Sequence, residues 1–335
     1  MRIPIRFDRR EWLGAFGDIG VLVPILLSLT VVNGIDLTRA LAVAGISYIA
    51  AGLYFRLPVP VQPLKAMAAI ALAQGLGLNV IRAGSLWMGI LFLVLGSTGA
   101  IDAAARFFPK VIVKGLQLGV GVLLLRAAWR LLLPTPLPAA PMLSPTPALA
   151  PQDFLTSFFV LVLPQIPLTL GNAVFGASDA LHVYYGRRAR SASPRILSIS
   201  IGLMNLAAGL FHGYPLCHGS GGVTAHARLG ARTAGATILM GTLCLAGALF
   251  SGPTAYEVLA RIPHPLLGVL LLYVGLCHGG LFLQLDQPGE RLLAIAMGLV
   301  ALFTNRLDWA LGMGLLLGAT ATLFGFRYRA QASGS

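Results

Sequence analysis

The sequence predicts an all-α polytopic membrane protein, and three observations carry that prediction: apolar runs along most of the chain, very little charge, and two interrupted segments at corresponding places in its halves. Of 335 residues, 57% are hydrophobic and 10% charged, against roughly 25% charged in an average soluble domain. Apolar runs cover 12–32, 38–57, 85–101, 111–133, 196–211, 233–250, 265–283, 290–304 and 309–326. Each approaches or reaches the roughly 20 residues that cross a bilayer.

A net charge of +13 would suggest nucleic acid in a soluble protein. Here the Arg residues sit in short connections between apolar runs, so their distribution reports topology, and nucleic acid is not an expected partner. With five crossings before a Pro-rich stretch and seven after it, 17 of the 24 Lys and Arg residues fall on the cytoplasmic side, six fall outside, and Lys65 stays in the membrane. Arg187, Arg188 and Arg190 form the densest cytoplasmic cluster. Both termini are then cytoplasmic, and the chain is expected to be a multi-pass protein of the cell inner membrane. Arg2, Arg6, Arg9 and Arg10 lead directly into a segment containing Asp18 that lacks a convincing cleavage site, so the first span is expected to stay attached.

Repeated prolines mark 134–152 as an extended linker. They divide the chain into a first membrane repeat, 1–133, with about five segments and a half-helix near 62–76, and a second, 153–326, with about seven segments and a half-helix near 217–229; a cytoplasmic tail, 327–335, follows. Asp153 is the expected N-cap of the stretch from Gln152 to Val162. An odd number of crossings in the first half makes the second half start from the opposite side, as an inverted repeat requires.

The two interrupted segments are the pointers to a binding site. In the first, running from Pro58 to Ile70, three prolines hold an extended approach and a helix is expected to begin near Pro63. The second, running from Tyr214 to Ala227, is a Gly-rich turn entering a half-helix, and its free NH groups can approach a ligand closely. Two half-helix N-termini meeting near the midplane present NH groups and two positive dipole ends to one point, which suits an anion. Discontinuous helices also bind sodium, uracil or amino acids. A tetrahedral dianion could be satisfied by backbone NH groups at Gly219, Ser220, Gly221 and Gly222, by the Gln62 and Asn172 amides and by the Ser220 hydroxyl.

Lys65 is costly inside a membrane unless it faces a cavity or a partner. It reads as the anion's countercharge or as an ion-pair partner of Asp18, with snorkelling as the alternative. Asp18 is the candidate for proton coupling. His218 could donate to the anion or titrate, or be structural; the remaining histidines read as interfacial or packing residues. Cys217, Cys244 and Cys277 have no metal spacing, and neither a metal nor a cofactor is expected. The 11 acidic residues, mostly at segment ends, assemble no paired catalytic carboxylates, so an enzyme is not expected. No GxxxxGK[ST] motif is present for ATP-driven transport.

Three stretches carry a resemblance: GAFGDIGVLVPILLSLTVVNG at 14–34, PVPVQPLKAMAAIA at 58–71, and LPQIPLTLGNAV at 163–174 with SISIGLMNLAAGLFHGYPLCHGSGG at 198–222. They resemble the molybdate transporter family, a relative of the sulfate permease (SulP) family without its cytoplasmic STAS domain. The resemblance implies an inverted-repeat transporter like sulfate and uracil permeases, with a core domain holding the two broken half-helices beside a gate domain. It maps a substrate site to Gln62, Lys65, Asn172 and the turn from Cys217 to Gly222. The chain is shorter than a fourteen-segment permease, and its first half lacks a gate hairpin. The expected function is secondary active transport of a tetrahedral oxyanion, most directly molybdate, by an elevator-type cycle. A sulfate transporter, or an anion channel on the same scaffold, is the alternative. The expected partners are the oxyanion, membrane lipid, a coupling proton or other ion, and a second copy of the chain as a homodimer.

Overall fold

A computed structural model describes residues 4–133, 148–250 and 263–323. The first half contains α1 (Arg9–Asn33), α2 (Leu37–Phe55), the two-residue strand β1 (Gln62–Pro63), the half-helix α3 (Lys65–Gln74), α4 (Leu78–Thr98), the short α5 (Ile101–Arg106) and α6 (Lys110–Leu132). The second contains α7 (Pro151–Ser191), α8 (Pro194–Leu210), β2 (Leu216–Cys217), the half-helix α9 (Ser220–Arg228), α10 (Gly235–Phe250), α11 (His264–Gly279), α12 (Pro288–Thr304) and α13 (Leu307–Leu323). Among the described residues six helical segments are long and apolar enough to cross a membrane. Residues 134–147 of the expected linker and the tail 327–335 lie outside the described residues.

Local chemistry sets the helix ends. Asp8 caps α1 by accepting from the Arg10 and Glu11 amides, and Gly34 ends it in the left-handed region. Glu11 reaches back over the N-terminus of α10, where its carboxylate accepts from the amides of Arg232, Thr233 and Ala236, a negative group at the positive end of a helix. Helix α7 begins at Pro151 with Ala150 as its cap residue, so Asp153 is not the N-cap expected from sequence. It sits in the first turn and accepts from the Ala150 amide at 2.8 Å, because Pro151 already occupies the favoured first position.

Both half-helices are shorter than the sequence suggests. Gln62 pairs antiparallel with Cys217, and Pro63 with Leu216, so these residues are extended and the helices start only at Lys65 and Ser220. Pro63 therefore lies in a strand and not in a first helical turn. Helix α4 starts at Leu78, earlier than the apolar run at 85. Its charged residue Arg82 is accommodated by a 2.8 Å bond from Nε to the Gly209 carbonyl.

Packing divides the helices into two groups. Helix α4 lies against α8, and α2 against α10; exchanging the two halves exchanges these pairs, as an inverted repeat requires. Around them lie α1, α3, α7 and α9, forming the core domain. Helices α6, α11, α12 and α13 pack on one another as the gate domain. The groups meet where α3 lies on α6 and α1 on α11. Helix α7 contains two π-helical turns, Phe158–Val162 and Thr169–Phe175. Between them Pro164 and Pro167 lack the N–H that a regular ladder requires, and such turns recur at functional sites.

Candidate functional site

The site begins with the crossing of two extended segments inside the core. Backbone polar groups at membrane depth must be satisfied by protein, and here side chains complete what two residue pairs cannot. The Leu64 amide donates to the Pro215 carbonyl at 2.9 Å, and the Tyr214 hydroxyl donates to the Leu64 carbonyl at 3.1 Å. Asn205 on α8 clasps Leu216 from both sides, its Nδ2 donating to the carbonyl at 2.7 Å and its Oδ1 accepting from the amide at 3.2 Å.

His218 belongs to this scaffold. One ring nitrogen bonds the Pro60 carbonyl at 2.8 Å, the other bonds Ser200 Oγ at 2.9 Å, and the ring stands edge-on to Phe55. Both nitrogens are occupied, and His218 is not on the wall of the cavity beside the crossing.

That cavity is narrow and partly open. Its polar wall consists of Lys65, Gln165, Thr169, Asn172, Cys217 and His278. The half-helix α3, the central turns of α7, the strand β2 and the gate helix α11 each contribute, so it lies on the boundary between core and gate.

Behind Lys65 runs a chain of buried polar groups. Lys65 Nζ donates to Gln62 Oε1 at 2.8 Å, and Gln62 Nε2 donates to Asp18 Oδ1 at 2.5 Å. The other Asp18 oxygen accepts from the Tyr48 hydroxyl at 2.8 Å and lies 2.9 Å from His226 Nε2. Asp18, Tyr48 and His226 are fully buried. Asp18 and Lys65 are thus linked through the Gln62 amide and do not touch directly; the groups that bond Asp18 itself are Gln62, Tyr48 and His226.

Three of the half-helix NH groups that the sequence assigns to a ligand are already taken: that of Gly222 donates to the Gly219 carbonyl at 3.0 Å, and those of Ala66 and Met67 are bound by a side chain. Gln165 Oε1 accepts from the amides of Ala66 and Met67, at 3.1 and 3.2 Å, while its Nε2 donates to Thr169 Oγ1 at 3.0 Å. At the other half-helix the Ser220 and Gly221 amides have no partner among the described residues. The Ser220 hydroxyl donates to Asn172 Oδ1 at 2.7 Å, so Asn172 keeps its amide NH2 as the donor available to a ligand. A Cβ on Gly219 would lie 2.7 Å from Gln62 Oε1, and one on Gly222 would lie 2.8 Å from Asp18 Oδ1 and 2.6 Å from Pro60 Cβ. Nothing lies within 4 Å of the corresponding position on Gly221. Among the described residues no cluster of His, Cys, Asp or Glu is arranged to hold a metal.

Of the residues assigned from sequence, Lys65 and Asn172 line the cavity, whereas Gln62 and the turn from Gly219 to Gly222 lie at the crossing and are not on the cavity wall, with Asp18 one amide behind. Sequence reasoning missed Gln165, His226, His278 and Tyr48. Gln165 had a local signal, a long polar side chain between Pro164 and Pro167 in an apolar run. The partners of His226 and Tyr48 are remote in sequence, and no spacing reveals them.

Gln165→Glu provides a sharp test of the wall. It retains an acceptor for the two α3 amides but adds a negative charge to the same cavity as Lys65. It is expected to weaken the binding of an anion there about tenfold or more, whereas Gln165→Ala, which loses a cap worth roughly 1 kcal/mol, acts mainly on stability. Calorimetric titration with the anion, alongside thermal unfolding, separates the two.

Comparison with known proteins places this geometry. The family model described as "Molybdate transporter of MFS superfamily" matches residues 10–124 and 157–277, well over half of the chain. "Molybdate transporter 2" of Arabidopsis thaliana is 25% identical over 401 residues, spanning 92% of this chain and 86% of that protein. "Molybdate transporter 1" of Chlamydomonas reinhardtii is 25% identical, spanning 79% and 82%. Among solved structures, the transmembrane domain of the cyanobacterial bicarbonate transporter BicA superposes with a TM-score of 0.63 at 14% identity, covering 96% of this chain and 99% of that one. The murine Slc26a9 anion transporter in its inward-facing state gives 0.63 at 12%, covering 98% and 70%. Although the family description names the MFS superfamily, the fold is that of the bicarbonate and SLC26 transporters, with the two half-helices at its centre. Kinship follows from the extent of the family match: this multi-pass membrane chain belongs to the molybdate transporter family, a family of transporters and not of enzymes.

Proposed function

We propose that the protein is a secondary active transporter of a tetrahedral oxyanion, with molybdate as its substrate and tungstate and sulfate as chemical relatives. The observation that carries this reading is the position of Lys65, at the N-terminus of α3 on the wall of a cavity that Asn172 and Cys217 also line, where the core meets the gate and where Asn172 is bonded to Ser220 at the start of α9. The anion is held by the Lys65 ammonium, the Asn172 amide and the Ser220 and Gly221 NH groups. Gln62 orients Lys65 from behind, Gly219 and Gly222 let the second half-helix approach that close, and His218 has a structural role. Fixed dipoles stabilise an anion in a low-dielectric pocket while leaving it able to depart.

Alternating access on this reading is a displacement of the core along α6 and α11, in the manner of an elevator. The cavity is too tight for the anion until α11, carrying His278, moves away from α3. We place the protein in the inner membrane with both termini cytoplasmic, in keeping with the distribution of basic residues. The expected result is uptake of labelled molybdate into proteoliposomes against its gradient, suppressed by excess tungstate or sulfate and unaffected by uracil. Competition by uracil alone would sink the oxyanion reading, and flux that only ever runs down the gradient would overturn secondary active transport.

A further inference from the structure

We propose that the buried Asp18–His226 pair is the proton-binding site of this transporter, taking up a proton as the oxyanion binds at Lys65. The proposal rests on the oxyanion reading above and names the coupling ion and the residues that carry it.

The first argument is geometric. His226 Nε2 lies 2.9 Å from Asp18 Oδ2, so with an ionised carboxylate the ring proton resides on Nε2. His226 Nδ1 has no hydrogen-bond partner among the described residues, although the side chain is fully buried. Leaving such an atom unmade costs about 1–3 kcal/mol, and a purely structural histidine would be expected to use both nitrogens, as His218 does. A proton can be added at Nδ1 without breaking any bond of the network: the imidazolium still donates through Nε2, and Asp18 still accepts from Tyr48 and Gln62.

The second argument concerns charge. In the empty site the Lys65 ammonium and the Asp18 carboxylate balance across the Gln62 amide. An arriving dianion leaves an excess of two negative charges in a low-dielectric interior, and a proton on the pair removes one of them. By linkage, the anion then favours the protonated pair, and the protonated pair favours the anion by the same factor. His226 also lies in the last turn of α9, where the helix dipole favours a cation.

On the cavity wall Lys65 and His278 are also titratable, and a proton taken up there would survive replacement of His226, whereas the groups packed around the pair itself supply no rival. On α1, the other carboxylate, Glu11, is held by three backbone amides. Helix α2 contributes Tyr48, which donates to Asp18. On the stretch of α7 against α9, Asp179 and His182 are exposed and the Tyr185 hydroxyl is bound to the Ala231 carbonyl. Arg228 on α9 itself is exposed, and the nearby thiols, Cys217 and Cys244, are buried.

The step is a simple transfer: a solvent proton adds to the Nδ1 lone pair as the anion binds and leaves when the anion departs on the other side. Calorimetric titration of the purified protein with molybdate, in buffers of different ionisation enthalpy between about pH 5.5 and 8, reads it directly. Heats that depend on the buffer, showing net proton uptake on binding, are expected. Molybdate heats identical in every buffer across that range would overturn the proposal while leaving the oxyanion reading intact. Absence of any molybdate heat or uptake would remove both.

A second experiment uses His226→Gln, whose amide can still donate to Asp18 but cannot hold the extra proton. In proteoliposomes, the ratio of molybdate accumulation driven by an inward proton gradient to molybdate self-exchange should fall about tenfold or more relative to wild type. An unchanged ratio would overturn the assignment. Should the variant fail to fold, buffer-independent heats of the wild type would still overturn the proposal, and His226→Asn, which also keeps an amide donor, takes the place of His226→Gln.

Discussion

Lys65→Ala is expected to lower oxyanion affinity by roughly 30- to 1000-fold, the equivalent of about 2–4 kcal/mol for removing one partner of a desolvated charge contact. Uptake should fall with it. The fold should survive, because Lys65 is only partly buried and, among the described residues, its ammonium is bonded to Gln62 Oε1 alone. Lys65→Arg should be impaired as well. The Gly219 Cβ position would be only 3.5 Å from Lys65 Nζ, and a planar guanidinium is larger than an ammonium and directs its donors differently. Calorimetry with molybdate on protein shown to be folded by thermal unfolding is the measurement. Wild-type affinity in both variants would mean that the ammonium plays no part in binding and that the site reduces to the helix ends.

Gly222→Val is expected to be the most damaging single substitution in α9. Its new side chain would be driven into the Gln62 amide, Pro60 and Asp18, none of which can move without opening the buried network. Overpacking of that kind costs about 1–3 kcal/mol before the lost hydrogen bonds are counted. Both thermal stability and molybdate binding should be lost. Gly221→Val, where nothing lies within 4 Å, should leave the fold intact and weaken binding only by shielding the adjacent NH groups. Equal behaviour of the two variants would contradict the close approach of α9 to Gln62. A neutral control is Gly20→Ala, on an open surface of α1. Gly119 on α6 is unsuitable despite its place in an ordinary span, because a Cβ there would lie 2.6 Å from Leu307.

What was legible in the sequence follows from how local each signal is. Spans, half-helices and the halves' opposed start are written in hydropathy, prolines and glycines, and Lys65 stands out because a charge is conspicuous in an apolar run. The pairing of Gln62 with Cys217 is non-local, so the half-helices were drawn too long and Pro63 was placed in a helix. For the same reason Gln165, whose backbone partners lie 98 and 99 residues away, took no part in the expected site. His226 looked like any interfacial histidine, since the carboxylate that defines it is 208 residues distant. His218 drew attention because it adjoins the Gly-rich turn, yet adjacency in sequence says nothing of where a ring points.

The crossing of β1 and β2 also constrains how the protein is made. Its two strands come from opposite halves, and bonds that pin it join residues 150 and 158 positions apart. At ordinary rates of synthesis, about 5–20 residues per second, α3 therefore emerges roughly eight to thirty seconds before its partners exist. During that interval Asp18, Gln62 and Lys65 lack His226 and the second half-helix, and hydrocarbon is a poor place for such groups to wait. The first half is consequently an incomplete folding unit, and α3 is expected to enter the bilayer interior only once residues 214–226 have been synthesised and can close over it.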